Sequence, residues 1–274
     1  MCREIAWHHL PHRLHLRWPR MARPHLEHVL PALPRVASGP SGVKEWLSAT
    51  HLLDLDDPKL RIQAMRITQL ASSETHKALL VHHFVKKLPF GCVAAFDHVP
   101  AAEVLRAGRG DCHTKGTLFV ALLRSVGVPA RLRFVMLSSA FLAGIIDIPG
   151  GVIPHAVGEV YLSGRWIQTD TYVTDKAFEC GALARLAGSG NLLGLGLHAS
   201  ASRLWDGRTP AHAQYCDSDP PSMPIRDLGV AHDPEHFYSE KSHGEFERGW
   251  LTRLKWIVAA AMVNRRVEQI RAEI

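Results

Sequence analysis

The stretch from Gly108 to Arg131, "GRGDCHTKGTLFVALLRSVGVPAR", decides how the chain is read. Gly108 and Gly110 let the backbone bend sharply. Leu118, Phe119, Ala121, Leu122 and Val126 then keep helical spacing, and Gly127 with Pro129 closes the helix. Cys112 therefore falls on the first helical turn, where the helix dipole and free amides favour the thiolate. A cysteine so placed is either a nucleophile or a small buried hydrophobe, the commonest fate of a free thiol. A nearby base, itself oriented by a third group, would decide between them.

Working outward, "ARLRFVML" (Ala130–Leu137) alternates as a strand does. "HAVGEVYL" (His155–Leu162) and "RWIQTD" (Arg165–Asp170) read as the arms of a hairpin around a Ser163–Gly164 turn. Pairing about that turn opposes His155 to residue 172, which leaves Asp170 two places away on the same face. A Cys112–His155–Asp170 triad is thus geometrically permitted.

Upstream, "ETHKALLVHHFVKK" (Glu74–Lys87) carries an apolar helical stripe at Ala78, Val81, Phe84 and Val85, with Ser72 and Ser73 as candidate caps. "VPAAEVLRAGRG" reads as a short helix ended by glycine. A helical layer followed by a run of strands predicts an α+β fold. Beyond Asp175 the pattern loosens into loop-like segments such as "GSGNLLGLGLHASAS" and "DSDPPSMP". A long amphipathic helix is predicted over residues 244–274. Its Trp250, Leu251, Leu254, Ile257, Val258 and Ala261 face the core, while Val263, Val267 and Ile270 turn away or meet another surface. This divides the chain into an extension at 1–42, disordered or non-native, a catalytic core at 43–175, and a C-terminal extension at 176–274 packed on that core.

The 274 residues can bury one substantial core, and no apolar run is long enough to span a bilayer. The longest apolar stretch, "FLAGIIDIPGGVIP" (141–154), is interrupted by Asp147, prolines and glycines. The pI of about 9.2 comes largely from residues 1–42, with six arginines against two glutamates; no basic stripe follows, so nucleic acid is not an expected partner. The five cysteines contain no CxxC pair, which argues against a disulfide framework or structural zinc and for a reducing, cytoplasmic setting.

"GRGDC" running into an apolar helix, then "ALLRSVGVPARLRF", then "HAVGEVYLSGRWIQTD" together resemble the transglutaminase-like superfamily of papain-fold cysteine enzymes. The resemblance covers about Lys77 to Thr171 and joins three separate motifs in the right order. It implies a papain-like core in which the helix bearing the catalytic cysteine packs on an antiparallel sheet. It also implies Cys112 as nucleophile, His155 as base and Asp170 as the group that orients it. The chain departs from the family at Val157, where members commonly carry tryptophan after "HA", and this changes the wall beside the base. The implied activity is acyl transfer through a thioester at Cys112 to water or an amine, as in a peptidase, amidase or transferase. No cofactor or metal is called for, and the substrate is a peptide, a protein or a small acyl compound.

Asp111, His113 and Trp166 are further candidates for substrate contact. His113 adjoins Cys112, but neighbours on a helix do not face one another, so a rim position suits it better than the role of base. Lys115 lies three residues after the cysteine and either adds positive potential or is solvated. His232 and His236 are four apart, but Pro234 interrupts a regular helix and no third ligand stands out, which favours a solvated loop over a metal site. Trp166 also reads as an anchor for the hairpin. The competing class is a binding module that keeps the fold and holds a peptide or protein in its cleft without catalysis.

Overall fold

The helices start where the sequence supplies caps, and these starts set the position of the candidate nucleophile. In the computed structural model, residues 40–93, 98–146, 148, 151–240 and 250–273 are described, and everything below concerns them. They belong to one unit, Gly39–Ile274. After the short α1 (Pro40–Lys44), Asp57 caps α2 (Pro58–Thr68) by accepting from the amides of Lys59 and Leu60, with proline at the first helical position. Ser73 caps α3 (Glu74–Lys87) by accepting from His76 N–H. The next helix, α4 (Ala101–Ala107), ends at Gly108, whose φ of 64° is left-handed and suits glycine. Asp111 then opens α5 (Cys112–Ser125) through a reciprocal box with Thr114. A Cβ at Gly110 would sit 2.5 Å from Thr114 Oγ1, so the box itself requires a residue without a side chain there.

Strands β1 (Ala130–Ser138), β2 (Val152–Leu162) and β3 (Arg165–Thr169) follow, then α6 (Lys176–Ser189) and the two-residue strands β4 (Leu193–Gly194) and β5 (Leu197–His198). The chain continues with β6 (Arg226–Ala231), α7 (Pro234–Ser239) and α8 (Trp250–Arg271). The main sheet is antiparallel in the order β3-β2-β1-β6. The hairpin has the register read from its turn, from Leu162 opposite Arg165 to Gly158 opposite Thr169. The fold is therefore α+β, with α5 lying between the sheet and helices α2, α3 and α4. Its residues 113–124 are buried, and the Phe119 ring stacks on Tyr172 at 4.4 Å. Each such large apolar side chain contributes about 1.5–3 kcal/mol when fully withdrawn from water.

The structure adds elements after Asp175 and corrects one. Helix α6 occupies part of the region read as loosening; Phe178, Ala182 and Leu186, spaced by four, form its buried face. β6 extends the sheet from the other edge of β1. In α8 the second stripe meets the core: Val263, Val267 and Ile270 are buried, with α6 as the main neighbour, while Ala261 of the first is exposed. The side chains of the first stripe from Trp250 to Val258 lie outside the described residues, as does the extension up to residue 39. Cys92, Cys112 and Cys216 form no disulfide, whereas Cys180 is disulfide-bonded, a bond that cysteine spacing did not suggest. No helix among the described residues is long and apolar enough to cross a membrane.

Candidate active site

The capping box presents Cys112. Asp111 Oδ1 accepts from the backbone amides of His113 (3.1 Å) and Thr114 (3.0 Å), and Thr114 Oγ1 in turn accepts from Asp111 N–H (2.8 Å). The helix start is thereby fixed, with a half-buried thiol as its first residue.

His155 reaches the site from β2. Its Nε2 lies 3.1 Å from Asp170 Oδ2, and both side chains are buried. Asp170 sits just past the end of β3, and its other oxygen accepts from Ala213 N–H at 2.6 Å. The carboxylate is thus held from two sides, and it holds the ring through one nitrogen. The second nitrogen, His155 Nδ1, is buried without a hydrogen-bond partner. Burying an unsatisfied ring nitrogen costs about 1–3 kcal/mol, an expense found where a group waits for a reacting partner.

Cys112 and His155 line the same cavity, which encloses about 690 Å3 of space including its open mouth. Its walls are mainly apolar: Phe90, Phe141, Leu142, Ile145, Ile146 and Ile153 among them. Residues 138–154 supply most of this wall, and residues 184–198 contribute Gly196. The cavity draws on both faces of the sheet. Ala156 and Val160 belong to the core that contains α5, whereas Ile153 and Val157 belong with Val135, Leu137, Phe141 and Tyr215 to a second cluster. By strand alternation His155 shares the face of Ile153 and Val157. Val157, at the family's tryptophan position, fills that second cluster, and the wall beside the imidazole is the edge of Phe141 at 5.9 Å.

His113 stands elsewhere than expected. It is buried rather than on the rim, and its Nδ1 lies 3.3 Å from Cys112 Sγ despite their adjacency in sequence. Its Nε2 is 3.1 Å from the Tyr238 hydroxyl of α7, and the two rings stack at 5.9 Å. Lys115 is fully buried, neither solvated nor aimed at the thiol. Its ammonium donates to the carbonyls of Leu88 and Val173, and burial pushes it well below the ordinary lysine range. Trp166 is not part of the cavity lining. Its ring carries the Arg131 guanidinium at 3.9 Å and meets Trp46 and Tyr161 edge-on, as a hairpin anchor would. Asp111 does line the cavity, with its Oδ1 committed to the cap. His232 stacks on Trp46, His236 pairs with the α7 cap Asp233, and Pro234 serves as the first residue of α7 rather than interrupting it. Among the described residues no group of three or more His, Cys, Asp or Glu could hold a metal ion.

Three neighbours of the site carried no signal in the sequence. Gln214 lines the cavity with Oε1 buried and unpaired while Nε2 donates to the Gly196 carbonyl. His212 stacks on Tyr215 at 4.4 Å; burial lowers its imidazole, partly opposed by the charge of Asp170. Tyr238 reaches His113 from α7. All three lie beyond Asp175, where no motif marked them.

A half-buried thiol at a helix start and a buried imidazole, held from behind by Asp170, thus line one apolar cavity. Residues 63–171 match the family model of the transglutaminase-like superfamily. Among solved structures, similarity is found to a candidate cysteine protease from Cytophaga hutchinsonii (19% identity, TM-score 0.37, covering 46% of this chain and 40% of that one). It is also found to a candidate protease from Parabacteroides distasonis ATCC 8503 (14% identity, TM-score 0.32, covering 43% and 24%). The chain thus spans less than half the length of either. No curated protein matches its sequence.

Proposed function

We propose that the protein is a cysteine-dependent acyl-transfer enzyme with Cys112 as nucleophile, His155 as acid and base, and Asp170 as the group that orients His155. One observation carries the reading: Cys112 and His155 line one cavity, and the buried Asp170 carboxylate engages His155 Nε2 and leaves Nδ1 for chemistry. A looser thiol–imidazole geometry before substrate binds is usual for such sites.

The thiolate attacks the carbonyl carbon of an amide, ester or thioester, forming the S–C bond. The bond to the leaving group then breaks, and that group takes a proton from His155 Nδ1. Water or an amine next attacks the thioester, returns a proton to His155 and releases the sulfur. The amide of Cys112, at the positive end of α5, is the donor best placed for the oxyanion. The apolar wall suits an acyl donor with an apolar group beside the carbonyl.

The test is intact-mass detection of an acyl adduct after incubation with a panel of amide, ester and thioester donors. An adduct on the native chain that is absent from Cys112→Ala supports the reading. If no donor forms an adduct and peptides bind Cys112→Ala as tightly as the native protein, the chain is a binding module instead.

A further inference from the structure

We propose that His113, tethered by Tyr238, is a second imidazole on the Cys112 sulfur and holds the thiol proton in the resting protein. The inference rests on Cys112 being the nucleophile and assigns its resting partner. Of the two histidines on the cavity, His113 is the one at hydrogen-bond distance from Sγ, at 3.3 Å, whereas His155 Nδ1 has no partner. His113 is not a loose side chain that meets the sulfur by chance. It is buried, its ring lies 5.7 Å from Phe134 and is stacked on Tyr238, and its far nitrogen is held 3.1 Å from the phenol oxygen.

The chemistry follows from what each atom offers. The Tyr238 oxygen accepts from His113 Nε2–H, which leaves Nδ1 as an acceptor facing the thiol. Proton transfer breaks the S–H bond and forms Nδ1–H, and the product is a thiolate–imidazolium pair. In that state His113 still donates to Tyr238 through Nε2 and now donates to sulfur through Nδ1, so both of its N–H groups are used. The pair is largely withdrawn from water, where attraction between opposite charges is stronger. Titratable groups beside His113 include the Cys112 thiol on its own helix, the Asp111 carboxylate of the cap, which accepts from the His113 backbone amide, and the Tyr238 phenol from α7; β1 contributes the uncharged Phe134 ring. Two tasks are thereby divided. His113 keeps the sulfur ionised and retains its proton through the cycle. His155 gives a proton to the leaving group and regains one from the acceptor.

The experiment is the rate of Cys112 alkylation by iodoacetamide between pH 4 and 9, beside turnover of a thioester or ester donor. His113→Asn keeps a polar group near the position of Nδ1 but cannot carry the charge. It is expected to raise the apparent thiol pKa by at least one unit, a ten-fold or greater loss of alkylation rate at pH 6. Tyr238→Phe, which keeps the stacked ring, is expected to lose about two- to five-fold at the same pH, as one hydrogen bond is removed. His155→Ala is expected to keep the low-pH alkylation and lose turnover. Should His113→Asn unfold, ring 15N shifts of the native protein provide the second measurement: one imidazolium beside sulfur at neutral pH, lost in Cys112→Ala. A native alkylation profile in His113→Asn, or low-pH alkylation lost in His155→Ala alone, overturns the inference and leaves the triad standing. Full turnover in His155→Ala would instead sink the triad.

Discussion

Replacing Asp170 by asparagine separates charge and tautomer from shape. Asp170 accepts twice in a buried setting, from His155 Nε2 at 3.1 Å and from Ala213 N–H at 2.6 Å. Asparagine offers one acceptor and one donor. With its NH2 turned toward Ala213, two donors would oppose each other and a buried amide would go unpaired, at about 1–3 kcal/mol. Turned the other way, it keeps the Ala213 bond and presents NH2 to His155, whose Nε2 must then accept. The second orientation wins, and its consequence falls on the ring. A neutral His155 is driven to carry its proton on Nδ1, and the imidazolium, which needs an acceptor at Nε2, is disfavoured. His155 can then neither take a proton at Nδ1 nor cycle through its charged form. General acid–base catalysis contributes about 10²–10⁴-fold, and a wrongly set tautomer in a serine triad lies at the upper end of that range. On the triad reading kcat therefore falls about 10³-fold, equivalent to about 4 kcal/mol. Asp170→Ala leaves the Ala213 amide and His155 Nε2 both unpaired, so it should lower Tm more than Asp170→Asn does. Initial rates of thioester or ester turnover, set beside thermal melts, read both effects. A native fold with kcat within ten-fold of the unsubstituted protein would refute the tautomer argument.

Cys112→Ala is expected to abolish turnover while the melt changes little, since the half-buried thiol adds little packing; residual activity above one part in a thousand would remove Cys112 from the mechanism. Glu159 bonds Arg131 and Arg133, each at 2.6 Å. Burial alone would raise its carboxyl, but the two guanidinium groups outweigh burial and hold it below its ordinary value of 4.5. A depressed carboxyl contributes stability that is present above the unfolded value and lost as pH falls through the folded one. Urea midpoints should thus drop on acidification below about pH 4.5, more steeply in the native protein than in Glu159→Gln. At pH 7 the substitution should cost about 3–5 kcal/mol, because it strands the buried Arg131 guanidinium; parallel pH curves for the two proteins would contradict this. Phe134 is fully buried and stacks on Phe237 with centroids 3.9 Å apart, so Phe134→Ala should lose about 3–5 kcal/mol in chemical denaturation, and a loss under 1 kcal/mol would mean the site collapses without a cavity.

What could be read in the sequence is what local chemistry specifies. The bend at Gly108, the cap at Asp111 and the apolar period of α5 are all short-range, and the helix starts at Cys112 as its spacing indicates. The hairpin register follows from a two-residue turn, so the approach of Asp170 to His155 could be foreseen without a structure. Two kinds of information stayed hidden. The first is long-range pairing: β6 adds to β1 across about a hundred residues, and α7 follows it to bring Tyr238 over His113. No periodicity within Arg226–Ser239 names its partner, so His113 looked like a rim residue when it is a buried one. The second is the burial of an apolar stripe that has polar residues beside it. In α8 the polar Asn264 and Arg265 stand between the first stripe and Val267 and Ile270 of the second. Asn264 exchanges hydrogen bonds with the backbone of Cys92 while Val263, Val267 and Ile270 pack inward beside it. A polar residue within a stripe does not exclude burial when the neighbouring backbone needs a partner. The same principle applies to the candidate site, where a buried imidazole is tolerated because a phenol and a thiol satisfy its two nitrogens, and the residues that supply them lie 126 positions apart, from Cys112 to Tyr238.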